Sequence, residues 1–140
     1  MPVGDLVEWM EEYGPPHFTW YVKRLSGNDT LANGSHQAGP YIPRDFLFAV
    51  FPALNRREIK NPDVRFNLYV DSHADAREVR AIWYNNRFHD TSAARGRDET
   101  RVTGFGGGAS ALLDPESTGA LTVFAFRKVA EGETADCHVW

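Results

Sequence analysis

At 140 residues, 42% of them hydrophobic and 13% aromatic, the chain is long enough for one core that buries about two thirds of its unfolded surface, and too apolar for the disordered class. A single cysteine, Cys137, excludes an internal disulfide and a multi-cysteine zinc site, and is expected to be a buried structural thiol in a reducing compartment. Net charge is −4, yet the acids gather at the ends: residues 1–22 carry four and no Lys or Arg, residues 102–140 carry five against two cations, and residues 23–101 hold 13 Lys plus Arg against 10 Asp plus Glu, so a polyanionic partner is disfavoured at the ends but not in the middle.

The opening "MPVGDLVEWMEEYG" lacks the basic start and long apolar stretch of a signal peptide, and no run approaches the roughly 20 apolar residues of a membrane helix, so a soluble cytoplasmic protein is expected. Leu6, Trp9, Met10 and Tyr13 recur at helical spacing, with Asp5 as N-cap and Gly14-Pro15-Pro16 as a stop, which predicts a short first helix. "HFTWYVKRL" reads as a strand, and a polar arm follows it. "GPYIPRDFLFAVFPAL" predicts an extended entry into a helix from about Arg44 to Phe51, ended by Pro52. In "DVRFNLYVDS", Val64, Phe66, Leu68 and Val70 alternate with polar residues, the pattern of a half-buried strand. "EVRAIWYNN" is another strand, and "RFHDTSAARGRDETRVT" a second polar arm. "GALTVFAFRK", apolar on both faces, predicts a central strand, and "ADCHVW" a closing one. One domain over residues 1–140 follows, mainly β with two short helices, its short antiparallel strands forming a small barrel or pseudobarrel with the helices packed at its ends.

A long loop inside a compact domain is either disordered or functional. The first arm carries Lys23, Arg24, Ser26, Asn28, Asp29, Asn33, His36 and Gln37, and the second Arg87, Arg95, Arg97, Asp98, Glu99 and Arg101. These are the side chains that read base edges: Arg or Lys pairs with guanine, Asn or Gln with adenine, and a carboxylate accepts from the cytosine amino group. On composition alone, solvated surface loops fit equally well. Other chemistry is weaker. Glu58-x-Lys60 and Pro62-Asp63 are pieces of a metal-dependent nuclease core in the wrong order, and a Mg²⁺ site needs converging carboxylates. Asp71, His73 and Asp75 in "DSHAD" would share one strand face, and with His36, His89 or His138 they could ligate a metal; a polar strand end followed by a turn is the favoured reading. "GFGGGAS" lacks the Gly-Lys-Ser/Thr of a phosphate loop and reads as a turn or strand kink. The four tryptophans read as packing residues. No catalytic residue, metal or cofactor is assigned.

Taken together, "YVKRLSGNDT", "GSHQAGPYIP", "VRAIWYNNR", "ETRVTGFG" and "LLDPESTGALTVFAF" resemble the N-terminal effector domain of the EcoRII restriction endonuclease family over about residues 18 to 128. The resemblance implies a DNA-binding pseudobarrel, a seven-stranded open β-barrel type shared with plant "B-three" domains, whose two arms grip the major groove. It implies sequence-specific binding of double-stranded DNA at a CCWGG-type site (W being A or T) in a bacterial restriction-modification system, without cleavage by this domain. A nuclease catalytic domain is the implied partner, in cis or in trans. The first-arm match carries over Lys23, Arg24, Ser26, Asn28, Asp29, His36 and Gln37, with Tyr41 just beyond. In the second arm Arg95, Arg97 and Glu99 match a basic-x-Arg-x-Glu pattern flanked by Arg87 and Arg101, although "HDTSAARG" is slightly longer than the family's arm.

On that basis Arg95 and Arg97 are expected to donate to guanine, Glu99 to accept from cytosine, and Lys23 and Asn33 to read bases from the first arm. Arg24, Ser26, His36, Gln37, Tyr41, Arg87 and Arg101 are expected to hold phosphates and register, with Asn28 and Asp29 in support. A monomer without membrane contact suffices. The alternative is a β-barrel module that binds a small ligand, a sugar or a protein partner through the same polar loops.

Overall fold

The computed structural model describes residues 3–32, 39–89, 97–105, 110–128 and 136–140. Six strands, β1 (Phe18–Arg24), β2 (Asp63–Val70), β3 (Asp75–Tyr84), β4 (Glu99–Thr103), β5 (Leu121–Arg127) and β6 (Asp136–Val139), form one sheet in the order β1-β5-β6-β2-β3-β4. The sheet curls into an open half-barrel. Two helices, α1 (Val3–Glu12) and α2 (Arg44–Val50), pack on it. Every neighbouring pair is antiparallel except β2 with β6, which runs parallel.

The concave side holds the core, and the two-residue period selects it. Phe66, Leu68 and Val70 of β2 are buried, while Arg65 and Asn67 are exposed and Tyr69 is half-buried. Phe124 and Phe126 of β5 and Cys137 and Val139 of β6 line the same side, and α2 closes it with Leu47. At the C-cap of α2, Phe51 brings its ring to 5.2 Å from Phe66 and 5.9 Å from Phe126, edge-on to the latter. Burial pushes the Cys137 thiol well above its ordinary range, with the nearby Asp71 and Asp136 carboxylates adding to the effect, as suits a structural cysteine.

The convex side is roofed differently. Strand register sets Trp20, Ala125, His138 and Tyr69 in one row across β1, β5, β6 and β2. Helix α1 lays Trp9 over this row, 6.2 Å from Trp20 and 5.9 Å from Trp140, while Tyr13 stacks on His138 at 3.9 Å. Asp71 pins the layer by accepting from Trp9 Nε1 and pairing with His138 Nδ1, both at 2.8 Å.

Several expectations change. Met10 is 41% exposed, and Val7 beside it 46%, because the packing of α1 is carried by Trp9, with Tyr13 just past its end, and needs only a narrow stripe. Asp5 lies within the first turn of that helix rather than ahead of it. The expected closing strand is present as β6 and inserts between β5 and β2, where Cys137 and Val139 complete the core. The polar second arm is shorter than its composition predicts, because β4 occupies its last residues. The strand count among the described residues is six, with Tyr41 adding an isolated bridge to Arg101 of β4. "DSHAD" is a 3-10 turn, Asp71–His73, with Ala74 left-handed. Asp75 turns instead to Arg77, 2.9 Å away, and among the described residues no group of His, Cys, Asp and Glu converges as a metal would require. The nuclease fragments are likewise occupied: Glu58 pairs with Arg56 and Asp63 with Arg80.

Candidate nucleic-acid interface

The first arm leaves the barrel at the end of β1, and its root is a buried carboxylate. Asp29 is fully buried and accepts from the Ser26 amide at 2.9 Å, the Tyr41 amide at 2.8 Å and the Lys23 ammonium at 2.5 Å. Two turns of chain that are distant in sequence are thereby tied to one side chain. Burial alone would raise the Asp29 pKa, but the hydrogen bonds from Lys23, Ser26 and Tyr41, with the charge of Lys23, outweigh it and hold the carboxyl below its usual value. Lys23 also donates to the Tyr41 carbonyl at 2.8 Å, which uses two of its three donors and leaves its side chain 13% exposed. Ser26 is spent locally, its hydroxyl accepting from the Asp29 amide at 3.2 Å. Arg24 is more open and reaches the Gly119 carbonyl at 3.0 Å.

The second arm's neck is closed by the Arg87 amide, which donates to the Arg97 carbonyl at 3.2 Å. Beyond it the chain alternates. Arg97 and Glu99 point one way, pair with each other, and Arg97 lies over the Tyr84 ring with its guanidinium carbon 4.0 Å from the centroid. Asp98 points the other way and is clamped by Arg44 Nη1 at 2.8 Å and Trp83 Nε1 at 2.8 Å. One acid of the arm therefore anchors it to α2 and β3, and the residues on either side of it are presented.

The two roots meet along β4. Tyr41 bridges Arg101, the Val102 amide donates to the Pro40 carbonyl at 2.9 Å, and Thr100 Oγ1 donates to the Ile42 carbonyl at 2.5 Å. Arg101 is buried beneath this seam, donating to the Gly39 carbonyl at 2.5 Å and the Asn28 carbonyl at 3.2 Å. Gly39 is required here: a Cβ on it would lie 1.9 Å from the Val102 carbonyl oxygen. The first arm thus rejoins the fold at the Val102 end of the strand while the second arm enters at the Arg97 end. Tyr41, 38% exposed, lies on the seam between them.

Of the residues named from the sequence, Lys23, Ser26, Asn28, Asp29, Tyr41 and Arg101 come together at the first root, and Arg87, Arg97 and Glu99 at the second. Asn33, His36, Gln37 and Arg95 lie outside the described residues. Sequence reasoning missed Gly39, Arg44, Trp83 and Tyr84 as supports of the arms. The alternation Arg97, Asp98, Glu99 was a usable signal for the Asp98 anchor, had β4 been recognised.

Comparison with known proteins matches this architecture. The family described as "Restriction endonuclease EcoRII, N-terminal" matches residues 14–140. The chain is 36% identical over 134 residues to the type II restriction enzyme EcoRII of Escherichia coli, covering 94% of this chain and 32% of that protein. It therefore spans about a third of the length of that relative. Among solved structures, the B3 domain of UbaLAI restriction endonuclease, crystallised with cognate DNA, superposes with a TM-score of 0.58 at 15% identity, over 96% of this chain and 79% of the other. The half-barrel is the B3 fold, and the chain belongs to the family of EcoRII N-terminal domains.

Proposed function

We propose that this chain binds double-stranded DNA sequence-specifically, its two arms entering the major groove, as the recognition domain of a type II restriction endonuclease. The observation that carries the reading is the seam along β4, which roots both arms on one strand. Five residue steps, from Arg97 to Val102, separate the points where the two arms join this strand, about 17 Å at about 3.3 Å per residue. That span exceeds a major groove about 12 Å wide, so the arms can approach one groove from two sides. The family membership and the fold shared with a DNA-bound B3 domain support the same reading.

In this reading Arg97 donates to guanine and Glu99 accepts from cytosine, joined by Arg95, Lys23 and Asn33, at a site of the CCWGG type. Arg24, Arg87, His36 and Gln37 serve phosphates and register. The acidic helix α1 packs on the convex face at the start of β1, whereas the first arm leaves from the far end of β1 and the second lies between β3 and β4, so the local field at the arms can favour a polyanion despite the net charge. The domain acts as a monomer and does not cut DNA, cleavage being left to a catalytic domain in cis or in trans.

Selection from a randomised duplex pool tests binding and reads out the site together. In gel shifts, Arg97→Ala is expected to weaken cognate binding by about 1 to 3 kcal/mol and to blur discrimination, while Arg24→Ala weakens all duplexes alike. Identical behaviour of the two variants refutes the assignment. Binding that is insensitive to salt, with no duplex retained, supports instead a module for a sugar, small ligand or protein. Nicking of plasmid in Mg²⁺ refutes the non-cleaving role.

A further inference from the structure

Five side chains of alternating sign run without a break from one arm to the other. Lys23 Nζ lies 2.5 Å from Asp29 Oδ2, Asp29 Oδ1 lies 3.6 Å from Arg101 Nη1, and Arg101 Nη2 lies 3.9 Å from Glu99 Oε2, which in turn pairs through Oε1 with Arg97. The middle of this ladder is inside the protein: the Asp29 side chain is 0% exposed and that of Arg101 10%, while Glu99 and Arg97 at the far end are 31% and 40% exposed. Arg101 is fixed at four points, since it also donates to Gly39 and Asn28. Both hydrogen bonds leave from Nη1 and the side chain is 10% exposed, so burial rather than exhaustion of donors keeps this guanidinium from a phosphate, and a charge in this low-dielectric setting acts strongly on its neighbours.

We propose that Asp29 and Arg101 are positioning residues that couple the two arms, so that the groups presented by the first and second arms are set by one buried ladder and respond to DNA as a unit. Arg101 is the strut, and it does not touch DNA. Movement of Lys23 toward a base draws on Asp29. Asp29 and Glu99 share Arg101, so the orientation of Glu99, and through it of Arg97, changes with the first arm. This inference rests on the DNA-binding reading above, but it predicts something that reading does not. Independent arms give additive losses, because sites without shared partners add in free energy.

The test is a double-mutant cycle on cognate duplex with Lys23→Met and Glu99→Gln, one residue on each arm, both outside the barrel core. The product of the two single losses is expected to differ from the double-variant loss by about fivefold or more. Agreement within about twofold overturns the coupling. Arg101→Met supplies a second readout. A strut gives a lower cognate affinity with an unchanged dependence of log affinity on log salt, whereas a phosphate contact lowers the slope by about one, which overturns the assignment. If Arg101→Met does not fold, the cycle decides alone. A wild-type chain that retains no duplex overturns the DNA reading itself; retention with additive losses overturns only the coupling.

Discussion

The first arm is rooted by burial and the second by the surface. Asp29 sits in the interior with every oxygen engaged, and its partners Lys23 and Arg101 are nearly covered. Arg97 and Glu99 remain substantially open, held by one another and by the face of Tyr84. The physical consequences are opposite. A buried, satisfied carboxylate is strongly stabilising only while its partners are present, because removing it leaves charges stranded. An exposed pair contributes little to folding and can exchange its partner for another at small cost. The root of the first arm is built to stay where it is, whereas the pair that the second arm presents beside its Asp98 anchor can trade contacts.

The largest test of that contrast is Asp29→Ala, which strands two cations and two amides and is expected to cost about 3 to 5 kcal/mol, measured by urea denaturation. The acid limb sharpens it. Asp29 is held below its ordinary 3.8, so its contribution is fully present above the unfolded value and is lost as pH falls through the lower, folded value. The stability gap between wild type and Asp29→Asn should therefore be constant from neutrality down to about pH 5 and shrink below it. A gap that widens on acidification refutes the assignment.

Gly39→Ala comes next. The added methyl lies 1.9 Å from the Val102 carbonyl oxygen and 3.0 Å from its carbon, and both are backbone, so the seam must part. The expected cost is about 3 kcal/mol, the upper end of what overpacking incurs. The barrel core should survive, with cognate binding falling further than stability predicts. Loss of stability without any excess loss of binding shows that the seam does not position the arms.

Much of the barrel was legible because its strands obey a simple period. Phe66, Leu68 and Val70 alternate cleanly, and the apolar run through Phe124 to Phe126 announced an interior strand. Strand β4 was not legible, because Thr100 and Arg101 are polar residues that bury their heteroatoms against the chain 39–42, a partner about sixty residues away in sequence. Periodicity sees hydrophobicity, and here burial is supported by hydrogen bonds instead. For the same reason Arg101 reads from sequence as one more cation of an arm. Its two carbonyl partners, Gly39 and Asn28, and the Asp29 carboxylate come from a segment that only the fold brings to it. Tyr84 was legible as part of a strand but not as a platform, since nothing in "AIWYNN" says which ring will face Arg97.

Tyr84→Phe is the smallest and most specific probe of the second root. The Tyr84 hydroxyl is buried and has no hydrogen-bond partner among the described residues, so it loses hydration on folding with nothing in return. Removing it should leave stability unchanged or raise it by up to about 1 kcal/mol. The ring stays beneath Arg97, so cognate affinity should hold. Tyr84→Leu removes the π-face and should reduce discrimination at the bases Arg97 reads, since a cation over an aromatic face is worth about 0.5 to 1 kcal/mol at an exposed site. If Tyr84→Phe impairs recognition as much as Tyr84→Leu, the hydroxyl itself takes part in binding. The second arm would then be anchored by a polar contact that forms only with DNA in place, and the contrast between a fixed arm and a yielding one would have to be redrawn around that hydroxyl.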